Sequence, residues 1–370
     1  LSLVGSEMCI RDSLKFLYSW VIVFYHFFQD SVGSEGPRYF IGGYYGVEFY
    51  LLTAGAFLFL TYERQKERQS VRMPYQYLKQ RFLRLFPWAL TAFLFTVITR
   101  RILLDHVTSP GDLLDYFSGD IWEILLVNWN GMNDDALALN VPAWTRSAML
   151  LVGFVIWCCL YFDEKRFLHF FMPVSLLLGY GLWRHIPVGT TQTWIGFTTV
   201  GTFRAWLAMN IGFYCVILAR SLSQVPLSKA GRVLLTVGEV GLHVFCLWAM
   251  LNRDTRYYQW LVTLLLALAV AIALSGKSCL GPLLARLRVI PFLGEISLSV
   301  YLTHYAVLEA NHRLWQHMGQ PMEEHIPLFV LLVLAFALLH YFLTKLFMKL
   351  CRSGWAKLRP KLLTDKAHTF

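Results

Sequence analysis

"KFLYSWVIVFYHFF", residues 15–28, is apolar or aromatic at nearly every position, yet it opens on Lys15 and carries His26 near its far end. On an α-helix, eleven residues amount to three turns plus about 20°, so the two side chains share one stripe, about 16 Å apart along the axis. Asp30 follows four residues after His26, close to the same stripe, where it is placed to orient or polarise the imidazole. An ionised group in hydrocarbon costs about 3 kcal/mol even on lenient scales. The stripe is therefore expected to face protein or water. Imidazole is suited to proton transfer near neutral pH. The same spacing also fits a blander reading, a lysine snorkelling from a helix end and a histidine at the membrane interface.

The rest of the chain agrees with a membrane setting. Of its 370 residues 56% are hydrophobic and only 15% charged, against about 25% charged in soluble domains. Apolar runs of spanning length fall near 14–29, 43–62, 82–99, 143–162, 167–184, 203–220, 233–251, 257–275, 291–310 and 326–348. The expected fold is all-α and polytopic, with about ten transmembrane helices around a central cavity. The segment 113–129 is acidic and interrupted by Gly119 and Asp120, and reads as a loop or interfacial helix.

With the N-terminus placed inside, 24 of the 33 lysines and arginines fall on inner segments and 8 on outer ones, among them Arg204; Arg146 lies within a span. This asymmetry predicts that both termini are cytoplasmic. The net charge of +10 would point to nucleic acid in a soluble protein. Here the basic residues lie between spans, so membrane lipid is the expected partner and nucleic acid is not. Six of the seven cysteines lie in or beside spans and none forms a CxxC pair; they read as small buried hydrophobes, with no zinc site or disulfide framework.

"EMCIRDS", residues 7–13, lacks the apolar core of a signal peptide and resembles a translated library-preparation adapter. Residues 1–13 are read as non-native, 14–350 as the transmembrane domain and 351–370 as a basic cytoplasmic tail.

Further motifs follow along the chain. "YLKQRFLRLFP" (77–87) puts Arg81 and Arg84 three apart on one face of the third span. Guanidinium forks suit phosphate, although inner-side anchoring explains such a pair equally. "GVEFYLLTAG" (46–55) brings Glu48 into the second span, "PAWTRSAML" (142–150) brings Trp144 and Arg146 into the fourth, and "LGEISLSVYLTH" (293–304) brings Glu295, Tyr301 and His304 into the ninth.

Taken in order, these segments resemble the acyltransferase-three family of bacterial integral membrane acyltransferases. The family's basic residue, ten residues and histidine match Lys15 and His26. Its Arg-x-x-Arg before a proline matches Arg81, Arg84 and Pro87, and its second and late spans match 46–55 and 293–304. Two positions depart: the usual Ser-Gly is Ala54–Gly55, and the mid-chain glutamate of many members is absent from 142–150. The resemblance implies transfer of an acyl group, usually acetyl from acetyl-CoA, to a hydroxyl of an extracytoplasmic glycan or lipid-linked sugar. His26 would be the base, assisted by Asp30 and Lys15, and Lys15, Arg81 and Arg84 would face the CoA phosphates. Acyl-CoA is expected as co-substrate, with no tightly bound cofactor and no metal.

The other polar groups read as cavity or substrate residues: Glu48, Trp144, Arg146, Glu295, Tyr301 and His304. Glu48 is expected to pair with a base or to mark the interface, and Arg146 to hold an anionic acceptor or to sit at the interface. Glu239 and His243, four apart, read as a cavity-lining pair or a pair satisfied between helices rather than a metal half-site. Trp122, Trp129 and Trp144 suit either sugar stacking or an aromatic belt. The rival function is a transporter or flippase of a glycan precursor or small solute, for which intramembrane charges would also serve.

Overall fold

The computed structural model describes residues 2–30, 39–107, 109–112, 114, 125, 139–183, 194–196, 198–252 and 259–367, without the side chains of 2–13, 30, 180, 182–183, 194, 259 and 354–367. Long apolar helices dominate it. They are α1 (Ser2–Asp30), α2 (Gly46–Glu67), α3 (Pro74–Thr96), α4 (Trp144–Arg166), α5 (Met172–Trp183), α6 (Val200–Gln224), α7 (Lys229–Asn252), α8 (Gln259–Ser275), the short α9 (Leu280–Ala285), α10 (Val289–Met318) and α11 (Ile326–Ala367). A small antiparallel hairpin, Trp194–Ile195 with Thr198–Thr199, precedes α6. The protein is an all-α, multi-pass membrane protein.

The described residues of each of the ten apolar segments fall on helix. Among the described residues, six helical stretches are long and apolar enough to cross a membrane unaided: Gly43–Glu67, Pro74–Leu104, Val141–Gly179, Val200–Gln224, Lys229–Asn252 and Met322–Ser353. The long helices α1 and α10 fall outside that set. They are the two that carry Lys15, His26, Glu295 and His304, and they pack along each other. Their polar residues lower their hydropathy, and helix–helix packing offsets the cost.

Local chemistry sets several boundaries. Pro74 opens α3, where its missing N–H costs nothing. Thr199 caps α6 by accepting from the N–H of Thr202 at 3.3 Å. Gly319, at φ +67°, closes α10 in the left-handed conformation. The inner loop expected at 163–166 is instead a kink. Asp163 leaves helical geometry (φ −154°, ψ 78°) and its Oδ1 accepts from the N–H of Arg166 at 3.0 Å, so the chain passes from α4 through Phe167–Phe171 into α5 with little interruption.

α2 and α6 cross with their backbones in close contact. A Cβ added at Gly55 would lie 1.9 Å from the carbonyl oxygen of Met209, and one at Gly212 would lie 2.2 Å from that of Leu52. Glycine is required at both positions because backbone meets backbone there. Around this crossing the core gathers Leu51, Leu58, Phe59, Trp157, Met209 and Phe213. At one end of the bundle, Asp105 joins Arg101 (3.4 Å) and Arg313 (2.9 Å), tying the extension of α3 to α10. Elsewhere Arg220 grips Glu63 through two nitrogens, and Lys66 pairs with Glu164.

The topology count needs one correction. Arg204, assigned to an outer loop, lies within α6 and is 1% exposed. The partner that makes this tenable is Glu48, described below. Most of the 113–129 segment, including Trp122, and also Trp129 lie outside the described residues.

Candidate active site

α1, α2, α3, α4, α10 and α11 enclose a cavity of about 770 Å³. Among the described residues, four cations line it, one from each of four helices: Lys15 (α1), Arg84 (α3), Arg146 (α4) and Lys345 (α11). Glu295 of α10 is the one carboxylate on the lining among the described residues, and Tyr50, Trp88, Tyr301 and Tyr341 supply much of the remaining wall. Arg84, Glu295 and Lys345 are exposed, whereas Thr145, Arg146 and Tyr301 are buried. The cavity therefore has an open, charged mouth and a closed end carrying a guanidinium. Its size matches a small-molecule site.

The walls are fixed by hydrogen bonds. Tyr50 donates its hydroxyl to the Lys15 carbonyl at 2.5 Å. Ser19 Oγ lies 2.6 Å from the Tyr50 hydroxyl, 2.8 Å from the Lys15 carbonyl oxygen and 3.1 Å from that of Ser297, so α1, α2 and α10 meet directly below Lys15. At the closed end, Tyr301 donates to the Pro142 carbonyl at 2.8 Å, with Thr145 Oγ1 at the same distance. At the mouth, Glu295 accepts from the Tyr341 hydroxyl and from Lys345 Nζ, the latter at 3.1 Å.

The expected site residues divide into groups. Lys15, Arg84, Arg146, Glu295 and Tyr301 come together on the cavity. Arg81 does not join Arg84 there. Its Nε donates to the Tyr77 hydroxyl at 3.3 Å, and its guanidinium lies 5.8 Å from that ring, which itself stacks on Trp157. The shared helix face is real, but Tyr77, one turn earlier, draws Arg81 away. Glu48 is off the cavity as well. It pairs with Arg204 at 2.5 Å, both side chains 1% exposed. Arg204 also donates to the Tyr44 carbonyl at 2.7 Å and sits 5.7–5.9 Å from the rings of Tyr44, Tyr45 and Trp144. Trp144 thus faces an internal cation.

His26 is half-buried and stands behind the cavity wall rather than on it. Its ring centroid is 5.4 Å from His304, whose own ring is 5.9 Å from cavity-lining Tyr301. Tyr25 and Tyr305 complete its aromatic surroundings at 5.1 and 5.4 Å. The Asp30 side chain lies outside the described residues. Glu239 and His243 are both buried, and His243 Nδ1 lies 2.9 Å from the Tyr18 hydroxyl. Among the described residues, no three His, Cys, Asp or Glu side chains group as a metal site.

Sequence reasoning passed over Lys345, Tyr341 and Trp88 on the cavity. It also passed over His340, which lies 3.0 Å from both Ser299 Oγ and Thr91 Oγ1. Lys345 and Tyr341 fall four apart at the end of an apolar run, a pattern that a terminal anchor produces equally well.

A cation-lined cavity between membrane helices suits a substrate rich in phosphate or carboxylate. A family model described as an acyltransferase domain matches residues 12–345, nearly the whole chain. The chain belongs to this acyltransferase family. No curated protein and no solved structure matches it. The acyltransferase is thus a membrane enzyme for acyl transfer, and its motif residues Lys15, Arg84, Glu295 and Tyr301 meet at one cavity, with His26 and His304 behind it.

Proposed function

We propose that this acyltransferase moves an acyl group from acyl-CoA, with acetyl-CoA as the simplest donor, to a hydroxyl of an extracytoplasmic glycan or lipid-linked saccharide. The observation that carries the reading is the cavity, with Lys15, Arg84, Arg146 and Lys345 on its lining and a mouth open at one end. CoA brings several phosphate charges to such a mouth, and its pantetheine arm is slender enough to follow an aromatic wall inward. The excess of lysine and arginine on inner segments supports placing that mouth at the cytoplasmic face of a bacterial inner membrane, where CoA is found.

In this reading Lys15, Arg84 and Lys345 hold phosphate, and Arg146 lies nearest the reacting carbonyl. The acceptor hydroxyl approaches from the opposite side. Its oxygen attacks the thioester carbonyl while His26 takes its proton. The new C–O bond forms, the C–S bond breaks, and the proton held by His26 ends on the departing sulfur. Positive charge from Arg146 stabilises the oxygen that becomes negative in between.

The test uses purified protein in liposomes with acetyl-CoA radiolabelled on the acetyl group and envelope glycan from a bacterial host. The expected result is label appearing in the glycan as an ester released by mild alkali, abolished by His26→Ala with normal yield of folded protein. Label that crosses the membrane without forming an ester would replace this reading with the transporter.

A further inference from the structure

The wall between the cavity and His26 holds a second imidazole that the reaction above leaves unused. His304 of α10 is fully buried. Its Nδ1 lies 2.8 Å from the carbonyl oxygen of Tyr301 and 3.3 Å from that of Val300. A carbonyl only accepts, so Nδ1 carries the hydrogen and, in the neutral ring, Nε2 is a bare acceptor. Nε2 is buried and has no hydrogen-bond partner among the described residues. An open acceptor in such a place is desolvated without compensation, a cost that an apolar side chain would not carry.

The ring opposite is His26, with centroids 5.4 Å apart. A hydrogen bond of normal length between two imidazole nitrogens puts the ring centroids ~5 Å apart. The separation of the two rings is thus close to that of a bonded pair, and such contacts commonly tighten only when substrate is bound. The other ionisable groups near His304 are Tyr301 and Tyr305 on its own helix, with Tyr25 beside His26 on α1. Arg146 lies on the cavity lining with Tyr301, and His340 of α11 is engaged with Ser299, a turn below.

We infer that His304 is the positioning partner of His26: its Nε2 accepts the N–H of His26, so that the other nitrogen of His26 is left bare for the acceptor hydroxyl. The inference rests on the acyl-transfer reading. When His26 takes the hydroxyl proton it becomes an imidazolium, and the His304 acceptor shares that charge across two rings. When the sulfur leaves, His26 gives the proton to it and the pair returns to neutrality. No further reactant is needed. This is the part that an orienting acceptor plays behind a histidine base in hydrolytic triads, supplied here by a second histidine with a fixed tautomer.

His304→Asn tests it, because the asparagine amide can still donate to the Tyr301 carbonyl but nothing occupies the Nε2 position. Stabilisation by CoA and the KM for acyl-CoA are expected to stay as in the wild type. The value of kcat should fall about 100-fold and the acidic limb of the kcat–pH profile should move. His304→Gln, which returns an acceptor near the Nε2 position, should recover part of the loss. An Asn variant with wild-type kcat and pH profile overturns the pairing while leaving acyl transfer intact. A wild-type enzyme that transfers no acyl group overturns both. A reading that needs no variant at 304 comes from ring-nitrogen NMR: His26→Gln should shift the Nε2 signal of His304, and an unmoved signal overturns the pairing.

Discussion

Arg204 Nε lies 2.5 Å from Glu48 Oε1, and each of these side chains is 1% exposed. Neither charge is tolerable alone inside the bundle, and together they join α2 to α6 beside the Tyr44 carbonyl. Removing one partner leaves the other buried and uncompensated. Glu48→Ala is expected to lower stability by about 3–5 kcal/mol, read as a large drop in thermal unfolding temperature in detergent. The double variant Glu48→Leu with Arg204→Met should cost less than the sum of the two single changes. Full additivity would show that the pair does not act as a unit.

The α2–α6 crossing gives a sharper steric prediction. Gly55→Ala would force a Cβ to within 1.9 Å of the Met209 carbonyl oxygen. That neighbour is backbone and cannot swing aside. Folded yield on size-exclusion chromatography should fall steeply. Gly238→Ala is the control, since a Cβ there meets nothing within 4 Å; removing a helix-interior glycine should leave stability unchanged or raise it by about 0.5–1 kcal/mol.

Arg81 and Arg84 should separate functionally although they are three residues apart. Only Arg84 lines the cavity. Arg84→Ala is expected to weaken CoA binding about tenfold, the loss of one charge-assisted contact, and to flatten the salt dependence of that binding. Arg81→Ala should leave binding close to wild type and act instead on the packing of Tyr77. Calorimetric titration with CoA distinguishes the two, and equal losses would restore the sequence-based pairing.

The Arg313 arm of the Asp105 cluster should matter little. Arg313 is 47% exposed and Asp105 25%, so water competes with both. Arg313→Gln is expected to cost about 1 kcal/mol or less, with acyl transfer unaffected. A loss several times larger in thermal unfolding would mean that this end of α3 and α10 is held far more rigidly than its exposure implies.

The helices were legible because apolar length and breaks are local properties. The Asp163 kink was not: the charged run DEKR at 163–166 looks like a loop, and only the capping bond from Asp163 to Arg166 shows how the chain turns without one. Lys15 and His26 could be placed on one stripe because a single helix fixes their relation. What lies across from them could not, since Arg146, His304 and Lys345 come from helices far along the chain. Arg204 was hidden for a related reason. A charge near the start of an apolar run reads as its flank until a partner 156 residues away claims it. Gly55 was visible as part of a motif, but the need for it comes from Met209 on another helix.

In the proposed reaction the cations of the cavity would not distinguish a loaded carrier from a spent one. CoA keeps every phosphate after the acyl group has left, so Lys15, Arg84 and Lys345, as the proposed phosphate contacts, would hold the product nearly as firmly as the donor. Only the small acyl end differs. If CoA is that carrier, departure of the spent form would limit turnover at saturating donor, free CoA would compete with acyl-CoA, and moderate salt would speed the cycle by loosening the grip before it slows capture.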